Sequence, residues 1–463
     1  MNYLNIINNS NALNEIKSIC NQNNIDAYIV GGYVRDLILG KKSKDIDIVV
    51  LNYSEEKLMF NICEKLNIDK KHVHIFKRYG TVSLQYNDIN IEIVKAKVKS
   101  YKKSKNDIQL IDDLKRRDFT INTLALDIKT GNVIDYFNGL NDINNKILKT
   151  PIKADDTFID DSIRIIRAIR LAAKYNLNIE KNTLNSIINN INLLSVVSNS
   201  RLLNELNKIM LLDKPSIAIE LMRKVGILDY LLPEVVKLNE VEEIAEQKHK
   251  NNYYHSLQVL DQTREKTDDL VLLWTALLHD IGKYKTKRFD KQRGWTFHNH
   301  EKVGAYLLKH VTNRIKFGRQ FTNKLYLLIK YHGRPKELVK EGVTDSAVRR
   351  LIVELGDNLE DLLLFASCDM TTKYQDKKDK MIKDLNKLYD HIQKVREEDD
   401  LRNFRIELTG DDIMNYYNLK PSKVVGDIKK IIYDKVINGE LENKKEILFE
   451  YMINNNEIKK LVN

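Results

Sequence analysis

Cysteine is almost missing from this chain: Cys20, Cys63 and Cys368 are the only three in 463 residues. None is spaced as C-x-x-C, which excludes a cysteine-built zinc site. Three scattered thiols also make no disulfide framework, as suits a reducing compartment. Proline is equally scarce, with five residues, so long helices can run with few interruptions. No apolar run approaches the roughly 20 residues that a membrane-spanning helix needs. The N-terminal stretch MNYLNIINNSNALNEIKS lacks the basic start, apolar core and cleavage-type end of a secretory signal. These absences lead us to expect a soluble, unsecreted, cytoplasmic protein with no membrane partner. Histidine numbers only ten, so any clustering of it carries information.

Positive charge is in excess: 76 Lys and Arg stand against 65 Asp and Glu, a formal +11 with a pI near 9.1. That balance points to a polyanionic partner, nucleic acid first. The abundance of Asn, Ile and Lys reads as a genome-wide bias, which discounts the inference. The length implies several domains. Up to about Asp135, short strand-like runs (AYIVGG, DIDIVV, TVSLQY, INIEIV) alternate with helical segments, the pattern of a mixed α/β domain. From FIDDSIRIIRAIRLAAKY onward nearly every periodic segment has helical spacing. The expected fold class is α+β: a small mixed α/β head followed by a long all-α body. The charged cluster VREEDDLRNFR, residues 395–405, reads as a linker before a last helical piece opened by LTGDDIM.

Within the head, the strand-like stretch KDIDIVV carries Asp45 and Asp47 two places apart, and such positions share one face of a strand. Two carboxylates that close repel; a divalent cation between them resolves the conflict, and a solvated edge strand is the alternative. Just upstream, Gly31 and Gly32 in GGYVRDLILG follow a strand and precede a helix, so backbone amides there can face phosphates, or simply make a flexible turn. Arg35 opens that helix with positive charge, and Glu92 on INIEIVK adds a third acid. Together these suit metal-assisted nucleotidyl transfer, in which two metal ions roughly 4 Å apart activate a hydroxyl and neutralise a triphosphate. Asp45 and Asp47 would be ligands. Glu92 would be a third ligand or would help remove the proton.

These residues resemble the polymerase β-like nucleotidyltransferase head of class II tRNA nucleotidyltransferases, the CCA-adding enzymes. DDLKRRDFTINTLALD is similar to the family's R-R-D-F-T-x-N segment. The resemblance implies that Arg116, Arg117, Asp118 and Asn122 contact the incoming nucleotide; a capped helix with Asp118 in its first turn is the alternative. FIDDSIRIIRAIRLAA resembles the E-D-x-x-R helix, whose Asp and Arg read the base edge of CTP or ATP. Asp161 and Arg164 match that pair, with Arg167 one turn on, and Asp160 stands where the family usually has Glu. Their spacing puts Asp161 and Arg164 on one helical face, where they would read a base or form an intrahelical salt bridge. SNSRLLNELNKIM resembles the neck helix, in which Arg201 and Glu205 would steady the nucleotide-reading helix.

A second constellation runs through HKNNYYHSLQVLD, LLHDIGK, TFHNHEKVGA, YHGRP and FASCDMTTK. Scarce histidines placed next to acids suggest a second divalent-metal site with His255, His279, Asp280 and Asp369 as ligands. The order H, HD, D resembles the HD phosphohydrolase superfamily, and His300 and His332 fall where two-metal members have further ligands. Relatives imply phosphoester hydrolysis or a structural role for this domain. The last segment resembles the part of these enzymes that holds the tRNA elbow. The chain accordingly divides into a head at 1–136, a nucleotide-selecting and RNA-binding neck at 137–235, an HD domain at 236–395 and a tRNA-binding tail at 396–463.

The expected activity is template-free addition of C, C and A to tRNA from CTP and ATP with Mg2+. IVKAKVKSYKKSKNDIQLIDDLK, between Glu92 and Arg116, is shorter than the family's flexible loop, which serves the switch from CTP to ATP. A CC-adding enzyme is therefore the alternative. A poly(A) polymerase, or an HD phosphohydrolase with a regulatory nucleotide-binding head, is more remote.

Overall fold

The structure, a computed structural model, describes residues 1–77, 80–96, 109–241, 243–244, 247–248, 251–340, 344–372, 374–399 and 406–462. The chain forms two compact units, Met1–Ile209 with Glu220–Tyr230, and Met210–Ile219 with Leu231–Asn463.

The first unit is built on a seven-stranded sheet. Its strands are β1 (Ala27–Val30), β2 (Asp45–Val50), β3 (Val73–Phe76), β4 (Thr81–Tyr86), β5 (Ile89–Lys95), β6 (Ala125–Asp127) and β7 (Val133–Ile134), in the order β3-β4-β5-β2-β1-β6-β7. All neighbours are antiparallel except β2 and β5, which run parallel. The β-branched residues that made β2 legible, Ile46, Ile48, Val49 and Val50, are buried, while Asp45 is exposed and Asp47 half-buried. Because β2 lies between β1 and β5, it is no edge strand, and the solvated-edge alternative for its two acids falls. Parallel register sets Asp47 beside Glu92.

Helices cover the rest of this unit. Arg164–Tyr175 buries Ile165, Ile166, Ala168, Ile169, Leu171 and Ala172 on one side and leaves Arg164, Arg167, Arg170 and Lys174 on the other. That division follows from three- and four-residue spacing on an amphipathic helix. One expectation is corrected here: FIDDSIRIIRAIRLAA is not one helix. Ala154–Asp160 ends at Asp161, whose backbone is extended at φ −153°, and the next helix starts at Arg164. Asp161 and Arg164 therefore flank a break and do not share a helical face.

The second unit is mainly helical. The helices Asn252–Lys266, Leu270–Leu278, His300–Arg314, Arg319–Tyr331 and Leu359–Cys368 gather around a core that includes Tyr253, Trp274 and Phe365, all fully buried. A hairpin, Arg288–Asp290 with Gly294–Thr296, interrupts them. The long helix Gln375–Asp399 runs through the first five residues of the expected linker. It continues because Ile392 and Val395 are fully buried and Arg396 pairs with Glu360 at 2.7 Å; residues 400–405 lie outside the described set. Thr409 then caps Gly410–Tyr417 in a reciprocal box with Asp412, and a small core around Ile413, Ile428, Ile432, Leu448 and Met452 closes the tail. Among the described residues no helix is long and apolar enough to cross a membrane.

Candidate functional site

At the end of β1, Gly31 adopts φ +73°, a conformation that side chains rarely take. A Cβ there would meet Arg117 Nη1 at 3.0 Å and Asp47 Oδ2 at 3.5 Å, so glycine is what lets the turn approach both groups. This turn opens a pocket of about 650 Å³. Its lining includes Gly31, Gly32, Arg35, Asp45 and Asp47 from the sheet side, Arg116, Arg117, Asp118 and Asn122 from the following segment, and Asp161, Arg164 and Arg167 from the helical side. Glu92 stands next to Asp47 in the sheet.

The carboxylates on β2 and β5 are under strain of their own charge. Burial raises the Asp47 carboxyl above its ordinary value, with Arg117 opposing and Asp45 adding to the rise. Glu92 is raised by burial and then by Asp47 and Asp45. Two acids that line a polar pocket, Asp45 and Asp47, with Glu92 outside its lining but paired to Asp47 in the sheet, fit a hard divalent cation.

Opposite them lies a connected network. Asp118 is buried; its Oδ1 accepts from the Phe119 amide at 2.9 Å and from Asn122 Nδ2 at 2.8 Å, and its Oδ2 accepts from Arg167 Nη1 at 3.1 Å. Burial alone would raise this carboxyl, but Arg167, the Asn122 hydrogen bond and Arg164 outweigh it and hold the group below its ordinary value. Asn122 Oδ1 in turn accepts from Arg35 Nη1 at 2.6 Å. Asp118 thus orders a short 3-10 turn, Thr120–Asn122, and orients an arginine at once.

Asp161 and Arg164 are each held by a different partner. Asp161 Oδ2 accepts from Arg201 Nη2 at 2.7 Å, while Arg164 Nη2 donates to the Arg116 carbonyl at 2.6 Å and Nη1 to the Thr157 carbonyl at 3.2 Å. They form no salt bridge with each other; Arg164 sits 3.8 Å from Asp160 instead. Glu205 accepts from Arg170 at 2.8 Å and lies 4.0 Å from Arg167.

Three residues at this site, Asp36, Arg170 and Tyr175, escaped the motifs. Tyr175 donates its hydroxyl hydrogen to Asp36 Oδ1 at 2.7 Å and accepts from Arg35 Nη2 at 2.6 Å. Arg35 also donates to Asp36 Oδ1 from Nε and Nη2, each at 2.9 Å. Helical spacing from Arg164 and Arg167 would have pointed to Arg170; nothing in the order of residues pointed to Tyr175. The shortened loop segment falls largely on residues 97–108, outside the described residues.

The second unit brings the expected histidines and acids together. Ligand atoms of His255, His279 and Asp280 lie within 4.8 Å of one another, as do those of Asp280, His300 and His332. Asp369 joins through its Oδ1, 3.0 Å from His255 Nε2 and 3.8 Å from His279 Nε2. The Nδ1 atoms of His279, His300 and His332 lie 2.9, 2.9 and 2.7 Å from the carbonyls of Ala276, Phe297 and Ile329. A carbonyl can only accept, so each Nδ1 carries the hydrogen and each Nε2 presents a lone pair inward. His300 Nε2 and His332 Nε2 face each other at 3.2 Å. His279 Nε2, Asp280 Oδ1 and Asp369 Oδ1 are buried without a hydrogen bond. Orphaned acceptors of this kind fit one or two divalent metals. Lysines complete the surround: Lys283 Nζ reaches Asp280 Oδ2 at 2.6 Å and Lys336 Nζ reaches Asp369 Oδ2 at 2.5 Å. Burial would raise the Asp280 carboxyl, but His279 and Lys283 hold it well below the usual range. Lys283 lies one turn after Asp280 and was available from spacing; Lys336 was not.

Comparisons with known proteins match four stretches of the chain. Residues 27–149 match the model of a poly A polymerase head domain, 176–238 a probable RNA and SrmB-binding site of polymerase A, 252–362 an HD domain, and 358–452 a putative tRNA nucleotidyltransferase domain 2. A CCA-adding enzyme of Streptococcus pyogenes is 36% identical over 190 residues, 40% of this chain and 46% of that one. There the match spans about half the relative's length. A CCA-adding enzyme of Lactococcus lactis is 27% identical over 432 residues, 92% of this chain and 93% of that one. The Thermotoga maritima CCA-adding enzyme complexed with tRNA superimposes with a TM-score of 0.56 at 21% identity, covering 96% of this chain and 94% of that one, a likeness of fold. A poly A polymerase head domain, an RNA-binding segment, an HD domain and a terminal tRNA nucleotidyltransferase domain thus follow one another along the chain, on a fold like that of the solved CCA-adding enzyme.

Proposed function

We propose that the protein adds C, C and A to the 3′ end of tRNA, without a template, from CTP and ATP, in the cytoplasm. The observation that carries this reading is the pocket in which Asp45 and Asp47, with Glu92 beside them, face Arg116, Arg117, Arg164 and Arg167. Likeness to the polymerase β-like nucleotidyltransferases implies dependence on a divalent metal; we take it to be Mg2+, held by Asp45 and Asp47. When bound, it supplies neutralising charge at the triphosphate and acidifies the tRNA 3′-hydroxyl. The 3′-oxygen forms a bond to the α-phosphorus and the bond to pyrophosphate breaks. Arg116 and Arg117 bind the phosphates, with Arg117 held by Asp113 at 3.1 Å. Asp118 and Asn122 brace Arg167 and Arg35 around the sugar, and Asp161 with Arg164 reads the base edge. Glu92 serves as a further ligand or takes the hydroxyl proton.

The relatives named CCA-adding enzymes favour three additions, and nothing in them supports a stop at CC. The test is extension of tRNA lacking its 3′ end, with CTP alone, ATP alone or both, resolved at single nucleotides. Two cytidines followed by one adenosine is the expected product; a stop after two cytidines, or addition of adenosine alone, would overturn the assignment.

A second activity is favoured by the orphaned acceptors in the second unit. His255, His279, Asp280 and Asp369, joined by His300 and His332, would hold a divalent metal for phosphoester hydrolysis. Metal content of the purified chain, and its loss in Asp280→Ala, tests that reading.

A further inference from the structure

Positive charge is not spread evenly over this chain. Residues 281–319 hold eleven Lys and Arg against only Asp290 and Glu301, a net +9 of the chain's formal +11. Both acids are engaged. Asp290 Oδ1 accepts from the amides of Gln292 and Arg293 at the hairpin turn, at 2.9 and 2.8 Å, and Glu301 is half-buried against the turn at Gly333. On the helix His300–Arg314, Gly304, Ala305, Leu307, Leu308 and Val311 are buried. Lys302, Tyr306 and Lys309, at four- and three-residue spacing, share its exposed face. Tyr306 is 60% exposed, with Lys309 Nζ 3.6 Å from its ring centre. The short helix Lys283–Thr286 is locked onto the longer one by backbone contact: a Cβ on Gly282 would lie 2.0 Å from the His300 carbonyl oxygen and 2.6 Å from the Gly304 amide nitrogen. That packing brings Lys285 to Tyr306. Lys309, by hydrogen bond and charge, and then Lys285, by charge, hold the phenol below its ordinary value. Among the described residues, no ion pair ties down Lys285, Lys302 or Lys309.

We propose that this face binds unpaired RNA, with a base stacked on Tyr306 and the flanking phosphates on Lys285, Lys302 and Lys309. The inference goes beyond the addition reaction, because the ligand needs neither a tRNA fold nor a 3′ end in the head pocket. Charge of one sign at this density calls for a polyanion, and the exposed ring decides which. In duplex RNA the bases are stacked inside the helix and the deep groove bars side chains, so an exposed aromatic would gain nothing there. An acidic peptide supplies charge but no base to stack. Unpaired RNA offers a π-face at each base and a phosphate at each step, without regard to sequence. Lys309 covers the ring as an exposed cation–π contact, which is weaker than a stacked base. A base therefore replaces the ammonium on the ring and releases it to the neighbouring phosphate. Lys302 borders the same cavity as Trp295 and His298, so the hairpin adjoins this face, and its exposed Arg288, Lys291 and Arg293 extend the positive charge beyond one base.

The test follows the fluorescence anisotropy of a labelled oligouridine of about twelve nucleotides with the full chain, without CTP or ATP, across a salt series. Each lysine–phosphate contact adds about 0.7 to the slope of log affinity against log salt, so the double variant Lys285→Ala with Lys309→Ala should flatten it by about 1.4. Tyr306→Ala should weaken binding about tenfold and leave the slope unchanged, and Tyr306→Phe should restore the affinity. All three variants should extend saturating tRNA with the parent kcat, which shows them folded. An unaltered slope in the double variant, parental affinity in Tyr306→Ala, or a paired RNA of the same length bound as tightly as the oligouridine would overturn the proposal. So would polyglutamate bound as tightly, which would make the face a site for acidic protein. A parent chain that adds nothing to tRNA while these shifts hold would remove the reading of the head pocket and leave this face standing.

Discussion

The two acid clusters of this chain use the same side chains in opposite electrical states. In the head, Asp47 and Glu92 are pushed above their ordinary values by burial and by neighbouring acids. In the body, Asp280 and Asp369 are buried more deeply, at 1% and 4% exposure, yet are held below theirs. Burial depth does not decide the matter; partners do. The body cluster carries its own cations, Lys283 on Asp280 and Lys336 on Asp369 at 2.6 and 2.5 Å, which compensate one oxygen of each acid within the fold and leave the other turned toward the histidines. The head cluster is left short of positive charge at an open pocket. A site that works on a polyanion brought with its own cation needs that deficit, because the charge arrives with the substrate.

The sharpest way to break the comparison is to remove one acid from each cluster. Asp47→Ala should lower tRNA extension by about a thousandfold or more, as loss of preorganised transition-state charge does, with circular dichroism unchanged. Asp280→Ala should leave extension within about twofold, since its unit folds around a separate core. Retained extension in the first variant would sink the assignment of β2, and joint loss in a folded Asp280→Ala chain would show that the clusters are not independent.

Metal addition separates them next. Manganese at about 100 times its dissociation constant should stabilise the second unit by roughly 2.7 kcal/mol, a rise of several degrees in its melting transition. The rise should persist in Asp47→Ala and vanish in Asp280→Ala. Equal rises in both variants would move the stabilising metal elsewhere.

How much of this was legible in advance differs between the clusters for a physical reason. Strand β2 was readable because its period of two put Ile46 and Ile48 inward and the acids on the other face, a local property. The break at Asp161 was unreadable, because apolar spacing continues straight through it and only the distant Arg201 draws the carboxylate away. Short strands β3, β6 and β7 went unread as well: each is only two to four residues long, too short for a period of two to show, and β6 pairs with β1 from about 100 residues earlier in the chain. In the body the candidate ligands announced themselves through the scarcity of histidine. Lys336 could not, because a lysine in this lysine-rich chain carries no signal until the fold sets it against Asp369.

A finer test concerns the one head acid that is compensated. Asp118 is held below its ordinary value, so its contribution to stability is present above the unfolded carboxyl value, near 3.9. It is lost as pH falls through the lower folded value. At neutral pH, Asp118→Asn should cost the first unit on the order of 2 kcal/mol, read as a lower urea midpoint. Below about pH 4 the difference from the parent should shrink. A gap that stays constant would mean that the carboxylate charge is not what binds Arg167.

The smallest expected effect discriminates best between compensation and chemistry. The Tyr175 hydroxyl links Arg35 to Asp36, but the ring also lies under the Arg35 guanidinium at 4.4 Å, and Arg35 keeps its bonds to Asp36 and Asn122. Tyr175→Phe therefore removes two hydrogen bonds while preserving the stacked ring, a loss of about 1 to 2 kcal/mol. Burial raises the phenol well above its ordinary value, so the hydroxyl stays protonated and the effect should not vary with pH across the neutral range. The expected result is a several-fold rise in the nucleotide KM with kcat nearly unchanged, because Arg35 is loosened rather than removed. A hundredfold fall in kcat would place Tyr175 at the reacting atoms. The contrast between a head completed by its substrate and a body braced by its own lysines would then have to yield, since the head would hold a proton donor of its own.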